Sequence, residues 1–249
     1  MVERKGDGRV DALLAGAFVA DEVAALRPDY RVLLVAVEGL VPGGQDDTST
    51  TLLARAEDAA RRALADCPVE RLPHVAAWRE AYRGFGAKPQ RTRNSLEALL
   101  RRASSGLPQV NPLTDIYNAI SVLHRLPLGG EDLDRYQGPP RLLRATGVEA
   151  FDTVAGGVEV VEHPEPGEVV WCDGAGVTCR RWNWRQARRT RLQEGTTTAL
   201  FVIDALDPVT DDGMHTAADE LVDHLARLGP RVRSSRRLVA ARGVGHEEG

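Results

Sequence analysis

Lysine is almost absent from this chain of 249 residues: only Lys5 and Lys88 occur, so nearly all of the basic side chains are arginine. The three cysteines, Cys67, Cys172 and Cys179, fit neither a zinc-site spacing nor a CxxC pair, and we expect them to be reduced thiols. Aromatic residues make up 5% of the chain, so the predicted core consists mainly of leucine, valine and alanine.

Long apolar runs are also lacking. The run at residues 10–20 is interrupted by Asp11 and ended by Asp21 and Glu22, which leaves it too short to cross a bilayer. We therefore expect no signal peptide, no membrane partner and a cytoplasmic location. The net charge of −4 argues against indiscriminate nucleic-acid binding, and no DNA partner is predicted.

Common catalytic motifs are missing as well. There is no GxSxG, no P-loop, no GxGxxG that opens a helix and no HExxH. None of the six histidines has metal-ligand spacing to another histidine or a cysteine. The sequence therefore predicts no metal and no cofactor, and any hydrolysis is expected to use a positioned water.

The pattern along the chain predicts a single α+β domain with a mixed or antiparallel sheet packed against helices. A buried strand is predicted at 31–38, with a second one beside it at 15–20, and short strands follow from residue 141 onward. Asn94 and Asn111 are predicted to cap two helices in the middle of the chain. We expect the domain to cover residues 1–230 and residues 231–249 to form a basic, partly flexible tail.

Charge is unevenly distributed in the second half of the chain. Residues 179–193 contain six arginines and no acid, whereas residues 195–226 contain seven acids and no lysine or arginine. A local basic patch on an acidic protein can attract one polyanion to one place.

A line of polar residues follows the helix predicted after Asn111. Asp115, Asn118, Ser121 and Arg125 fall within about a third of its circumference, at 100° per residue. Such a line forms either a solvated face or the wall of a pocket. The remaining faces are apolar, so the helix is expected to be largely buried, and a buried Asp needs partners.

The next segment, LPLGGEDLD at residues 126–134, predicts a glycine turn followed by acids. Gly129 and Gly130 would let the backbone pass close to a ligand, and acids such as Asp132 could bind a cation or an amine. A turn of this kind is also common on protein surfaces, so the binding role is one of two interpretations.

The segment CRRWNWRQ, residues 179–186, is the strongest candidate for a binding site. On a strand, Trp182 and Trp184 would share one face, with Arg181, Asn183 and Arg185 on the other. Exposed tryptophan beside arginine suits the stacking of RNA bases and the neutralisation of phosphates. The alternative is that one tryptophan fills the core while the arginines pair with acids.

These segments, together with FGAKPQRTRNSLEALLRR at residues 85–102, resemble the B3/B4 editing module of the phenylalanyl-tRNA synthetase beta subunit, here as a free-standing B3/4 domain protein. The resemblance covers about residues 78–207. It implies the fold of that module and hydrolysis of the ester between tRNA and a wrongly attached amino acid. Gly129 stands where the synthetase module has a histidine, and the Arg-Trp-Asn-Trp-Arg run replaces small residues, so the amino-acid specificity is not expected to carry over.

The leading functional hypothesis is therefore editing in trans, the deacylation of mischarged aminoacyl-tRNA at the tRNA 3′ end. The alternatives are a non-catalytic module that binds a free amino acid or a related metabolite, and a domain that docks another protein. The proposed catalytic residues are Asp115 and Asn118; the proposed substrate-binding residues are Ser121, Gly129, Gly130, Asp132 and Asn183; and the proposed tRNA-binding residues are Arg181, Trp182, Trp184 and Arg185. We further expect the Asp115 helix and residues 179–186 to line one cavity.

Overall fold

A computed structural model describes residues 8–41 and 47–241 of the chain. The helices of this part are α1 (Gly8–Gly16), α2 (Asp21–Leu26), α3 (Asp47–Leu64), α4 (Pro73–Gly84), α5 (Ser95–Arg102), α6 (Pro112–His124) and α7 (Asp211–Leu225). The strands are β1 (Phe18–Val19), β2 (Arg31–Glu38), β3 (Leu128–Asp132), β4 (Arg141–Arg144), β5 (Phe151–Ala155), β6 (Val158–Glu162), β7 (Val169–Cys172), β8 (Val177–Arg180), β9 (Arg185–Gln186), β10 (Thr198–Ala205) and β11 (Arg233–Ala240).

The strands form two main sheets and one hairpin. The four-stranded sheet has the order β11-β2-β10-β3 and is antiparallel throughout. The five-stranded sheet has the order β1-β4-β7-β8-β9 and is mixed, because β1 and β4 run parallel. Strands β5 and β6 pair only with each other. The predicted α+β class with mixed and antiparallel sheets is confirmed.

Strand β2 separates two hydrophobic cores. Its continuous apolar sequence is buried on both faces, as expected for a central strand. Leu33, Val35 and Val37 face a core that also contains residues of α3, α6 and α7. Leu34 and its neighbours on the opposite face belong to a second core, which contains Trp78 and residues of the five-stranded sheet. Residues of this second core, such as Trp171 and Trp182, form part of the wall of a cavity that is described below.

The predicted helix starts are confirmed by their caps. The Asn94 side chain accepts a hydrogen bond from the Glu97 amide at 2.9 Å, and the Asn111 side chain accepts one from the Thr114 amide at 2.9 Å. The reciprocal half of the capping box is absent, because the Glu97 carboxylate binds Arg79 and Arg101 instead. The Asn111 cap fixes where α6 begins and therefore which of its residues reach the cavity.

Two predictions about the termini are wrong. Residues 15–20 do not form a strand beside β2: they contain the end of α1 and the short strand β1, which pairs with β4 in the other sheet. The supposed tail contains β11, which pairs with β2 over eight residues, so the fold continues beyond residue 230. Its alternating, arginine-rich sequence suits an edge strand with one wet face. Residues 242–249 of the predicted tail lie outside the described residues.

Candidate ligand cavity

A cavity of about 290 Å³ lies between the four-stranded sheet, helices α5 and α6, and the turn that joins β8 to β9. Ala98, Pro108, Trp184 and Arg185, which are among its half-buried or exposed lining residues, mark the mouth. The lining consists of Ser95, Ala98, Leu99, Pro108, Tyr117, Asn118, Leu128, Gly129, Glu131, Trp171, Cys179, Trp182, Asn183, Trp184, Arg185, Gln186, Val202 and Asp204. The prediction that the Asp115 helix and residues 179–186 line one cavity is confirmed. We call this space the Asn118 cavity.

Helix α6 contributes only part of its polar line to the Asn118 cavity. Asn118 lines it, and within the described part of the chain its amide forms no hydrogen bond to protein. Asp115 does not line it: its carboxylate accepts a hydrogen bond from the Val110 amide at 2.8 Å, and burial raises its pKa. Ser121 donates to the Leu126 carbonyl at 2.5 Å and closes the end of the helix. The prediction that Asp115 and Ser121 contact a substrate in this cavity is therefore corrected, because neither residue lines it.

The two glycines after α6 lie in strand β3 and not in a turn. Successive residues of a strand point to opposite faces, so Gly129 borders the cavity while Gly130 faces the other core. A Cβ atom at Gly130 would lie 2.8 Å from Leu192. Asp132 is also outside the cavity lining, since its carboxylate accepts a hydrogen bond from the Thr196 hydroxyl at 2.9 Å. Gly130 and Asp132 therefore have packing and hydrogen-bonding roles here.

The strand predicted through residues 181–184 is a turn. Arg181 and Trp182 adopt positive φ values of 47° and 69°, which reverses the chain between β8 and β9. The two tryptophans consequently do not share a face. Trp182 is 0% exposed and packs edge-on against Tyr30 and Trp78, with ring centroids 5.0 and 5.3 Å away. Its expected role as an exposed stacking platform is corrected: it is a core residue that forms part of the cavity wall.

Trp184 lies at the mouth of the Asn118 cavity, and two guanidinium groups lie near its ring. The Arg181 guanidinium is 4.6 Å from its ring centroid and the Arg185 guanidinium 6.0 Å. Cations over an indole face are attracted by its quadrupole and hold the ring in place. Trp184, Arg185 and Asn183 are thus the members of the proposed 179–186 site that border the cavity in an accessible position.

Most of the basic cluster is neutralised by acids. Arg180 and Arg181 pair with Glu168, and Arg180 also reaches Glu162 at 3.0 Å. Arg188 pairs with Asp152 and Glu159, and Arg189 pairs with Asp173 at 2.8 Å; Arg185 and Arg191 form no ion pair within the described residues. The interpretation that these arginines pair with acids elsewhere holds for four of the six.

Two buried carboxyl groups in the cavity floor were not among the predicted site residues. Tyr30 donates to Asp204 at 2.6 Å and Asn183 donates to its other oxygen at 3.2 Å, while Tyr136 donates to Glu131. Burial raises the pKa of Glu131 and of Asp204 to about 7, although these hydrogen bonds act in the opposite direction. An acid inside the apolar strand LFVIDAL was the signal for Asp204 in the sequence.

The fold and cavity define an α+β protein with a concave, mixed polar and aromatic site of the kind that binds small ligands. The family profile described as the B3/4 domain matches residues 77–228. The chain belongs to the B3/4 domain family, as its resemblance to that module suggested.

Further comparisons concern the fold. A solved N-terminal fragment of the phenylalanyl-tRNA synthetase beta subunit from Pyrococcus horikoshii is similar to this chain, with a TM-score of 0.44 and 12% sequence identity. The match covers 90% of this chain and 50% of that structure, so the chain spans about half the length of its structural relative. No curated protein matches the sequence. No helix within the described ranges is long and apolar enough to cross a membrane.

Proposed function

We propose that this protein hydrolyses mischarged aminoacyl-tRNA in trans, with the amino-acid moiety bound in the Asn118 cavity and the tRNA 3′ end at its mouth. The observation that carries the proposal is the size and lining of the cavity. A space of about 290 Å³ corresponds to about ten water molecules at ~30 Å³ each, which is the scale of one amino-acid moiety. We expect the protein to act in the cytoplasm, where its substrate is found.

The accessible residues at the mouth suit the end of a nucleic acid. Trp184 offers an aromatic surface on which the terminal adenine can stack, and Arg185 lies beside it without an acidic partner in the described part of the chain. The ester bond would then lie between the mouth and the floor, next to Asn118 and Asn183. This arrangement puts the amino-acid side chain deepest in the protein.

Hydrolysis in this arrangement uses a positioned water. The Asn118 amide has hydrogen-bonding capacity that no protein group occupies within the described residues, so it can hold a water against the ester carbonyl. The water oxygen forms a bond to the carbonyl carbon, the bond from that carbon to the ribose oxygen breaks, and the proton of the water passes to that oxygen. The products are the free amino acid and uncharged tRNA.

The neutralised arginine cluster favours a second candidate, a module that binds a free amino acid without chemistry. Four of the six arginines are paired with acids, which leaves little positive charge for a phosphate backbone. Each phosphate contact on a single strand contributes about −0.7 to the slope of the logarithm of the tRNA-binding constant against the logarithm of the salt concentration. If Arg185 and Arg191 are the only phosphate contacts in this cluster, the cluster should contribute a slope of about −1.4.

A deacylation screen separates the two candidates. Purified protein is mixed with a panel of mischarged tRNAs, and loss of the ester is followed for the wild type and for Asn118→Ala. Hydrolysis of at least one ester that disappears in the variant supports editing. Tight binding of a free amino acid with no hydrolysis of any ester supports the binding module and rejects the enzyme.

The role of the mouth is tested by tRNA binding over a range of salt concentrations. Arg185→Ala should weaken binding and flatten the salt dependence, because one phosphate contact is lost. Arg188→Ala is the matched control: Arg188 forms surface ion pairs with Asp152 and Glu159 and does not line the cavity, so its loss should leave the salt slope unchanged. Equal effects of the two substitutions would reject the proposed tRNA position.

A further inference from the structure

Two carboxyl groups stand at opposite ends of the cavity floor. Strands β3 and β10 pair so that Glu131 lies opposite Leu200 and Gly129 lies opposite Val202, and Asp204 follows two residues later on the same face. Asp204 is thus four residues along β10 from the partner of Glu131, so the two backbone positions are about 13 Å apart along the strand at ~3.3 Å per residue. Gly129 lies between the two acids along the sheet; Val202 is opposite it, and the Gln186 amide nitrogen is 3.1 Å from where its Cβ would be, so these two side chains border the space that joins the acids.

Neither acid forms an ion pair within the described part of the chain; the charge that acts on Glu131 from a distance is that of Arg189, which pairs with Asp173. The donors to Asp204 and Glu131 in the described residues are neutral: the phenols of Tyr30 and Tyr136, the hydroxyl of Thr178 and the amide of Asn183. A buried carboxylate without a cation is costly, and a protein that ionises two of them in one cavity loses stability unless something compensates. An incoming cation at each end would provide that compensation.

The cavity wall also holds donors without acceptors. Among the residues that the structure describes, no hydrogen-bond partner is found for the indole N–H of Trp171, a residue that is 4% exposed, or for the hydroxyl of Ser95. An unpartnered buried donor costs about 1–3 kcal/mol, so an acceptor from a ligand would be favourable here. Tyr117 adds an aromatic surface to the lining, and such surfaces attract organic cations.

From these observations we propose that the cavity recognises an amino-acid moiety with a cationic side chain, whose two cationic groups pair with Glu131 and Asp204 while its carboxyl or ester oxygen accepts the Trp171 and Ser95 donors. The span fits an α-ammonium and a terminal cation joined by a stem such as the four-carbon stem of lysine, and a single ammonium cannot reach both acids. This specificity rests on the proposed function in one respect, because it assigns the ligand to the same Asn118 cavity.

The test compares two ligands of nearly the same shape. Titration calorimetry on the full-length wild-type protein at pH 8, above the pKa of about 7 of both acids, measures the affinity for lysine and for norleucine, which lacks the terminal ammonium. We expect lysine to bind at least roughly tenfold more tightly. Equal affinity for the two, or tighter binding of phenylalanine than of lysine, would overturn the proposal without any variant.

Variants then assign the two acids. Glu131→Gln and Asp204→Asn should each reduce lysine affinity by roughly tenfold or more while leaving norleucine affinity nearly unchanged. Asp223→Asn is the control: Asp223 is exposed on α7, outside the cavity, and the substitution removes the same charge. Lysine affinity that falls equally in the control would show a general charge effect and reject the assignment.

The outcomes for this proposal and for the proposed function are separable. Tight lysine binding with no hydrolysis of lysyl or arginyl esters on tRNA rejects the hydrolase and keeps the cationic specificity. Hydrolysis that proceeds equally fast for tRNAs carrying neutral and cationic amino acids keeps the hydrolase and rejects the specificity.

Discussion

Asn118 and Ser121 lie one turn apart on α6, yet their surroundings give them opposite roles. Asn118→Ala removes an amide that no other group of the described chain depends on, so we expect loss of ester hydrolysis with little change in melting temperature. Ser121→Ala removes the donor to the Leu126 carbonyl and should cost about 1–3 kcal/mol of stability with normal specific activity. Thermal denaturation and deacylation of both variants test this, and a large melting shift for Asn118→Ala would make that residue structural.

The two tryptophans of the turn differ in the same way. Trp182 is fully buried against Tyr30 and Trp78, so Trp182→Ala should destabilise the protein by about 3–5 kcal/mol. Trp184 is half-buried at the mouth, so Trp184→Ala should change stability little and weaken binding of the tRNA end. Chemical denaturation gives the first quantity and filter binding the second. If both variants have the same free energy of unfolding, the assignment of Trp182 to the core and of Trp184 to the binding surface is wrong.

At the scale of elements, β3 shows how strand alternation divides adjacent glycines. Gly130→Ala would place a methyl group against Leu192, Tyr117 and Phe201 at 2.8–3.0 Å, and overpacking there should cost about 1–3 kcal/mol. At Gly129 the nearest atom is the Gln186 amide nitrogen at 3.1 Å, on the cavity side. Gly129→Ala should therefore keep most of the stability and reduce ligand affinity. Calorimetry measures the ligand affinity of the two variants, and melting curves measure their stability. Equal destabilisation of both variants would contradict the conclusion that Gly129 and Gly130 point to opposite faces of the sheet.

The elements that the sequence predicted best are those with local signals. Helix caps at Asn94 and Asn111 need only the side chain and the next turn, so they were found correctly. The turn at Arg181 and Trp182 was missed because two bulky residues at positive φ have no local preference for that conformation. Their position is set by the packing of Trp182 in a core formed by distant segments.

The sequence predicted which two segments line the cavity, but not which of their residues reach it. Polar residues inside apolar elements pointed correctly to α6 and residues 179–186, but periodicity could not separate Asn118, which reaches the cavity, from Asp115, which binds its own N-terminal loop. Asp204 was missed because its partners Tyr30 and Asn183 come from segments far away in sequence. Sequence alone cannot show that these segments meet.

At the scale of the whole molecule, strand β11 joins the C-terminal part of the chain to the centre of the fold. It pairs with β2 from Arg233↔Glu38 to Ala240↔Arg31 and covers one edge of the central strand. A chain ending at residue 230 would expose that edge, and we expect a lower melting temperature and aggregation through the unpaired strand. Thermal denaturation and light scattering of the truncated protein test this. A truncated chain with an unchanged melting curve would support the domain boundary at residue 230 that the sequence predicted.

The buried acids make the stability of the whole molecule depend on pH in a specific direction. The pKa of Glu131 is raised from 4.5 to about 7 by burial, with a smaller contribution in the same direction from Asp173, while hydrogen bonds from Tyr136 and Thr178 and the charge of Arg189 act against the rise. The folded protein therefore holds this proton more tightly than the unfolded chain does. The free energy of unfolding should fall as pH rises through this window, by up to about 3 kcal/mol from Glu131.

Glu131→Gln cannot ionise and keeps an acceptor for Tyr136, so it isolates this contribution from those of other groups. The variant's free energy of unfolding minus that of the wild type should increase between about pH 4.5 and 7 and level off above. Only the wild type loses the Glu131 contribution there, whereas the loss from Asp204 is common to both proteins and cancels. Urea denaturation of both proteins at several pH values measures the difference. Saturating lysine at pH 8 should reduce it, since the bound cation stabilises the ionised acid of the wild type. A difference independent of pH would mean that Glu131 ionises normally, and the physical basis for a cation at this end of the cavity would be lost.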